Sequence, residues 1–159
     1  MKIYVSLDME GATGIVSPEH VRPGSQEYAF GRAMQAHDLS AVLEGLAEEG
    51  IADVLVNDSH WSMTNLDIRP LPPGTRLISG WPKPLSMVEG AEGFDAAFFL
   101  CYHAMAGTEK AVLDHTLSGG TVHDVILNGM KVGETGINAA LCGVLGVPVA
   151  LVTGDLAAC

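Results

Sequence analysis

The sequence predicts an α/β fold: a mainly parallel sheet flanked by helices, with one β-hairpin. Three observations carry this. Strand-like apolar runs alternate with helical segments along the chain. The strongest strand signal, Ala96-Ala97-Phe98-Phe99-Leu100-Cys101-Tyr102, is apolar without alternation, as expected where helices cover both faces of a parallel sheet. Val122–Leu127 and Met130–Val132 are joined by Asn128-Gly129, a dipeptide suited to a tight hairpin turn.

The elements follow in order. Lys2–Leu7, rich in β-branched and aromatic residues, reads as a buried strand that stops at Asp8. Asp8–Gly14 reads as loop, and Pro18–Ser25, with two prolines and a glycine, as a second loop. From Gln26 to Glu49 the pattern is helical: Leu39, Leu43 and Leu46 recur at i, i+4, i+7, and Gly50 stands where a C-terminal cap belongs. Ala52–Val56 is the next strand and runs into Asn57-Asp58-Ser59-His60. Pro70–Gly74 is a turn and Leu77–Gly80 a short third strand. Phe94–Tyr102 ends at His103, the hairpin follows, Glu134–Leu145 is a second helix, and Pro148–Val152 is a last strand ending at Thr153-Gly154-Asp155. Leu156–Cys159 reads as the first turn of a helix that would cover the sheet, which leads to the expectation of a fragment; the alternative is a sheet edge that ends there.

The 159 residues suffice for one domain with a sizeable core and no need of disulfides. Lys plus Arg number 8 against 19 Asp plus Glu, a net charge of -11. That balance excludes nucleic acid and anionic membrane surfaces as partners, and leaves metal cations, cationic ligands or plain solubility. Cys101, Cys142 and Cys159 are odd in number and fit no zinc ribbon, so they read as reduced thiols of a cytoplasmic protein. The expectation is no leader peptide, because Met1–Val5 runs straight into Asp8 and Glu10, and no membrane span.

Ligands of open parallel sheets bind beyond the carboxyl ends of the strands. There the first strand delivers Asp8 and Glu10, the second Asp58 and His60, the Phe-rich strand His103 and the last Asp155. Asp8 and Glu10, at i, i+2, face one side if strand geometry continues, and a divalent metal would relieve their repulsion; alone, the pair also fits two solvated acids. Asn57, Asp58 or Ser59 could orient His60 as a ligand, against the plain alternative of a loop histidine. His103 could equally cap its strand by hydrogen bonding. Two imidazoles and three or more carboxylates at one edge favour one or two zinc ions over calcium or magnesium. Glu134 fits a favourable first-turn acid, but its flanking Gly133 and Gly136 suggest close approach to a ligand. His115 is a loop histidine able to act as base or acid, or a surface residue; His20, His37 and His123 are assigned no role. Neither a nucleophile elbow nor a phosphate-binding loop is present.

Taken in order, Ser6–Gly11, Val56–His60, Ile78–Gly80 with Ser86–Gly90, Tyr102–Ala104, Asp114-His115 and Val132–Ala139 resemble the DppA-type D-aminopeptidase family, the M55 zinc metallopeptidases. The resemblance implies two zinc ions per subunit held by Asp8, Glu10, His60, His103 and Glu134, with Asp8 bridging. It implies His115 as the catalytic residue, described for the family as a nucleophile; a base or proton shuttle beside a metal-held hydroxide is the physically preferred role. It also implies a homo-oligomer, typically a decamer, acting on short peptides with an N-terminal D-residue. Family chains are longer, so residues 1–159 read as a single α/β metal-binding catalytic domain forming the N-terminal portion of such a chain. The alternatives are another metal-dependent amidohydrolase or phosphoesterase, or a non-catalytic metal-binding fragment.

Overall fold

Strand β1 (Lys2–Leu7) lies at the centre of a five-stranded parallel sheet in the computed structural model, which describes residues 1–159. β2 (Asp53–Asp58) and β4 (Ala96–Tyr102) flank it, and β3 (Arg76–Ile78) and β7 (Val149–Gly154) form the edges, in the order β3-β2-β1-β4-β7. Every pairing in this sheet is parallel, as the unbroken apolar strands predict. β5 (Val125–Leu127) and β6 (Met130–Val132) form the expected antiparallel hairpin, with Asn128 and Gly129 both at positive φ, the conformation that its tight turn requires.

Side-chain alternation along β1 separates two cores. Ile3, Val5 and Leu7 pack beneath α2 (Tyr28–Glu48) with Leu39, Leu43 and Leu46. Tyr4 faces the opposite layer, where Phe99 and Tyr102 meet Cys142 of α3 (Glu134–Val144) and Met87 and Val88 of a 3-10 turn (Ser86–Val88). Helices on both faces make the sheet doubly wound. The chain leaves β1 toward β2 on one side and returns to β4 on the other, so a crevice opens at the carboxyl ends of β1 and β4.

The structure differs from expectation in places. Pro18–Val21 is not loop but a helical turn, α1, with Ser17 as N-cap and Pro18 in the first turn, where its missing N–H costs nothing. β2 begins at Asp53 and continues through Asp58, two residues past Val56. The hairpin begins at Val125, which leaves His123 outside the strand and exposed against Asp124. Asp155–Cys159 forms the expected turn, with the Cys159 N–H donating to the Asp155 carbonyl at 3.2 Å. The three cysteines are free, and no helix is long and apolar enough to cross a membrane.

Candidate metal centre

Asp8 and Glu10 converge, but not because strand geometry continues. β1 ends at Leu7, and the following loop is fixed by backbone bonds to β4: Asp8 N–H to the Leu100 carbonyl at 2.9 Å and Gly11 N–H to Cys101 at 2.8 Å. A Cβ on Gly11 would stand 2.0 Å from the Tyr102 carbonyl oxygen, so only glycine fits there. Gln35 of α2 donates to the Asp8 carbonyl at 2.8 Å from the other side.

His60 is buried beyond β2 with Nδ1 3.3 Å from Asp8 Oδ1 and 3.0 Å from Glu10 Oε2. Its Nε2 donates to the Val21 carbonyl at 2.7 Å, which leaves Nδ1 as the nitrogen that could bind a metal. The orienting group is therefore the end of α1, not Asn57, Asp58 or Ser59. Asp58 instead accepts from the Asn65 and Leu66 N–H groups and Asn65 Nδ2, and Asn57 contacts Lys83 and the Ser86 carbonyl. Asp155 likewise leaves the site, accepting from Val112 N–H at 2.7 Å and Ala158 N–H at 2.8 Å.

His103, just past β4, mirrors His60. Its Nδ1 donates to the Ala104 carbonyl at 2.9 Å, and its Nε2 lies 3.1 Å from Glu134 Oε1 and 3.6 Å from Asp8 Oδ2. Glu134 opens α3 and is fixed by the Leu117 N–H at 2.9 Å. Its flanking glycines are explained by the chain itself rather than by a ligand: a Cβ on Gly133 would meet Met105 Cβ at 2.5 Å, and one on Gly136 would meet Val132 Cβ at 2.9 Å. His115 stacks on His103, donates from Nδ1 to the Leu113 carbonyl at 3.1 Å, and points Nε2 to within 3.6 Å of Glu134 Oε1 and 4.0 Å of Glu10 Oε1.

These residues fit a metal. Four buried side-chain polar atoms lack a hydrogen-bond partner, and three of them, Asp8 Oδ2, Glu10 Oε2 and His103 Nε2, meet at this point. Such orphans are costly unless something neutralises them. Potential ligand atoms of Asp8, Glu10 and His103 lie within 4.8 Å of one another, as do those of His103, His115 and Glu134. Mixed imidazole and carboxylate donors suit zinc.

Without a cation the protons compensate. Burial disfavours charge on both imidazoles, but Glu10 and Asp8 hold His60 up at about 11, and Glu134 and Asp8 hold His103 up at about 10. Burial also opposes the Asp8 carboxylate, yet hydrogen bonding to His60 and the charge of His103 keep it well below the usual range. Burial and the Asp8 charge push Glu10 up.

The cluster forms the floor of a cleft of about 800 Å³ rimmed by Arg22, Trp61, Met63 and Leu117. Arg22 and the Val21 carbonyl escaped the sequence reading, although Ser17-Pro18 is a recognisable helix start.

Comparison with known proteins places the chain in a family. The model of peptidase family M55, described as D-aminopeptidase, matches residues 1–159. A D-aminopeptidase of Bacillus subtilis (strain 168) is 42% identical over 156 residues, which is 98% of this chain and 56% of that protein. A solved structure titled as the Zn-dependent D-aminopeptidase DppA from Bacillus subtilis, a self-compartmentalizing protease, superimposes with a TM-score of 0.95 at 41% identity, covering 99% of this chain and 57% of that one. The chain thus spans about half the length of the relatives it matches. It belongs to the M55 peptidase family, the D-aminopeptidases.

Proposed function

We propose that this chain carries the active site of a zinc-dependent aminopeptidase that hydrolyses short peptides with an N-terminal D-residue, at two zinc ions per subunit. The observation that carries the reading is Asp8 set between two imidazoles, Oδ1 toward His60 Nδ1 and Oδ2 toward His103 Nε2. One ion would be held by His60, Glu10 and Asp8, the other by His103, Glu134 and Asp8. Zinc bound there supplies Lewis acidity toward a carbonyl oxygen and brings the pKa of water near neutrality.

The chain's own residues do the rest. Tautomer control by Val21 and Ala104 aims the two ligand imidazoles. His115, with its Nδ1 proton committed to Leu113, presents Nε2 to the cleft as the acceptor that takes a proton from the attacking water and returns it to the leaving amine. Arg22, the one lysine or arginine lining the cleft, takes the carboxylate of a short peptide. The surrounding carboxylates favour the substrate's ammonium end. A homo-oligomer in the cytoplasm, decameric as the family resemblance implies, is part of the same reading; the self-compartmentalizing title of the Bacillus subtilis structure supports assembly.

Zinc-loaded protein tested on D-Ala-D-Ala, L-Ala-L-Ala and a chromogenic phosphoester decides the matter. Hydrolysis of the D-dipeptide alone is expected. Preference for the phosphoester would make it another metal-dependent hydrolase, and zinc without turnover a metal-binding module.

A further inference from the structure

Four buried polar side chains lie outside the ligand set, yet each stands beside a proposed ligand in the chain. Ser6 is two residues before Asp8, Ser59 precedes His60, Tyr102 precedes His103, and Asn138 is one helical turn after Glu134. They are bonded to one another. Ser6 Oγ lies 2.6 Å from Tyr102 Oη and 3.0 Å from Ser59 Oγ, Asn138 Nδ2 donates to Tyr102 Oη at 3.1 Å, and Ser6 Oγ donates to the Met87 carbonyl at 2.6 Å.

A hydroxyl carries one proton, so the directions can be assigned. Ser6 spends its proton on Met87, which requires Tyr102 to donate to Ser6 while accepting from Asn138. The relay runs from α3 through β4 and β1 to the 3-10 turn, and Ser59 ties in β2. None of the four leaves a buried side-chain polar atom unpaired, in contrast to the orphaned ligand atoms beside them.

Tyr102 reaches this network only through an irregularity in β4. The β4–β7 register shifts between Phe99 and Tyr102, Cys101 adopts φ 61°, and Leu100 and Cys101 both pack into the α2 core. Plain alternation would put Cys101, not Tyr102, on the α3 side. A non-glycine residue in the left-handed region is strained and persists where its surroundings require it. The bulge turns the Tyr102 ring to stack on Phe99, with centroids 4.9 Å apart, and places its hydroxyl against Ser6.

We propose that the Ser6–Tyr102–Asn138 relay, with Ser59, positions the metal centre by locking β1, β2, β4 and α3 in the one arrangement that brings Asp8, His60, His103 and Glu134 together. These are positioning residues: Ser6, Tyr102 and Asn138 lie outside the cleft lining, and Ser59, at its wall, acts here through its bond to Ser6. The proposal rests on reading the cluster as a zinc site.

Tyr102→Phe tests it, because the variant keeps the stacked ring and removes the hydroxyl. Zinc affinity is measured by competition with a chromophoric chelator, and site geometry by the visible spectrum of the cobalt(II)-loaded protein. The expected result is a 10–100-fold loss of zinc affinity and a changed cobalt spectrum. Leu46→Ala, in the α2 core on the opposite face of the sheet and outside the relay, should lower Tm while leaving affinity and spectrum as in the parent. Should Tyr102→Phe not fold, Asn138→Ala gives the same reading. Parental affinity and spectrum in the relay variant, or an equal loss in Leu46→Ala, overturns the positioning role and leaves the zinc site standing. A parent protein that binds no zinc overturns both.

Discussion

The imidazole of His115 lies flat on that of His103, with ring centroids 3.7 Å apart and planes 12° from parallel. One ring is buried and aimed at Asp8 and Glu134; the other covers it and faces the cleft. In the proposed site the stack separates a ligand, His103, from the residue that works above it, His115. His115→Ala is therefore expected to keep its zinc and lose turnover by about 10²–10⁴-fold. Elemental analysis and a peptide assay on the same sample check this; loss of metal would make His115 a ligand instead.

His60→Ala and His103→Ala each remove one imidazole from a different half of the cluster. Each variant should bind less zinc per chain and show no measurable hydrolysis. Full activity in both would contradict the site assignment.

The fall of stability with rising pH should be weaker in zinc-loaded than in metal-free protein. In metal-free protein the folded-state pKa of His60 is raised to about 11 and that of His103 to about 10, against about 6.5 unfolded. The folded state thus binds more protons than the unfolded one across that window. Its stability from these groups is complete below pH 6.5 and is lost as pH rises toward 10 to 11. Zinc needs the neutral imidazoles, so the Tm gained on adding zinc should grow with pH over the lower part of this range. Thermal melts from pH 6 to 9 with and without zinc check both trends, and a zinc effect that shrinks with pH would contradict them.

Arg22→Ala should raise KM for a free dipeptide by about tenfold, the worth of one hydrogen bond to a charged group. The C-terminal amide of the same dipeptide should show little change. Equal effects on both substrates would remove Arg22 from carboxylate recognition.

Two glycines should respond to alanine with opposite signs. At Gly11 the new methyl meets the Tyr102 carbonyl at 2.0 Å, and the expected loss is about 1–3 kcal/mol. At Gly45, within α2, it meets nothing within 4 Å, and the expected gain is about 0.5–1 kcal/mol from helix propensity. Chemical denaturation reads both.

The strands and their order of use were legible because apolar runs such as Ala96–Tyr102 stop abruptly at His103, and the strand-end rule then points to the site. That rule brings forward Asp8, Glu10, His60 and His103 as candidates, and the family resemblance singles them out as ligands. Asp58 and Asp155 satisfy the same rule and yet turn away, because a strand-end carboxylate can as well cap a neighbouring loop, and spacing does not distinguish the two. Glu134 was found beside glycines that serve packing against Met105 and Val132. The Val21 carbonyl was hidden because it is backbone, which no residue type announces. The β4 bulge was hidden because Leu100 and Cys101 are both apolar, so a shifted register reads the same as a regular one.

Zinc titration into chelator-stripped protein tests the central claim most directly. Two equivalents bound per chain are expected, both lost from an Asp8→Ala variant because the proposed centre has Asp8 serve both ions. One equivalent or none, or a full complement retained without Asp8, would contradict a dinuclear centre built on Asp8.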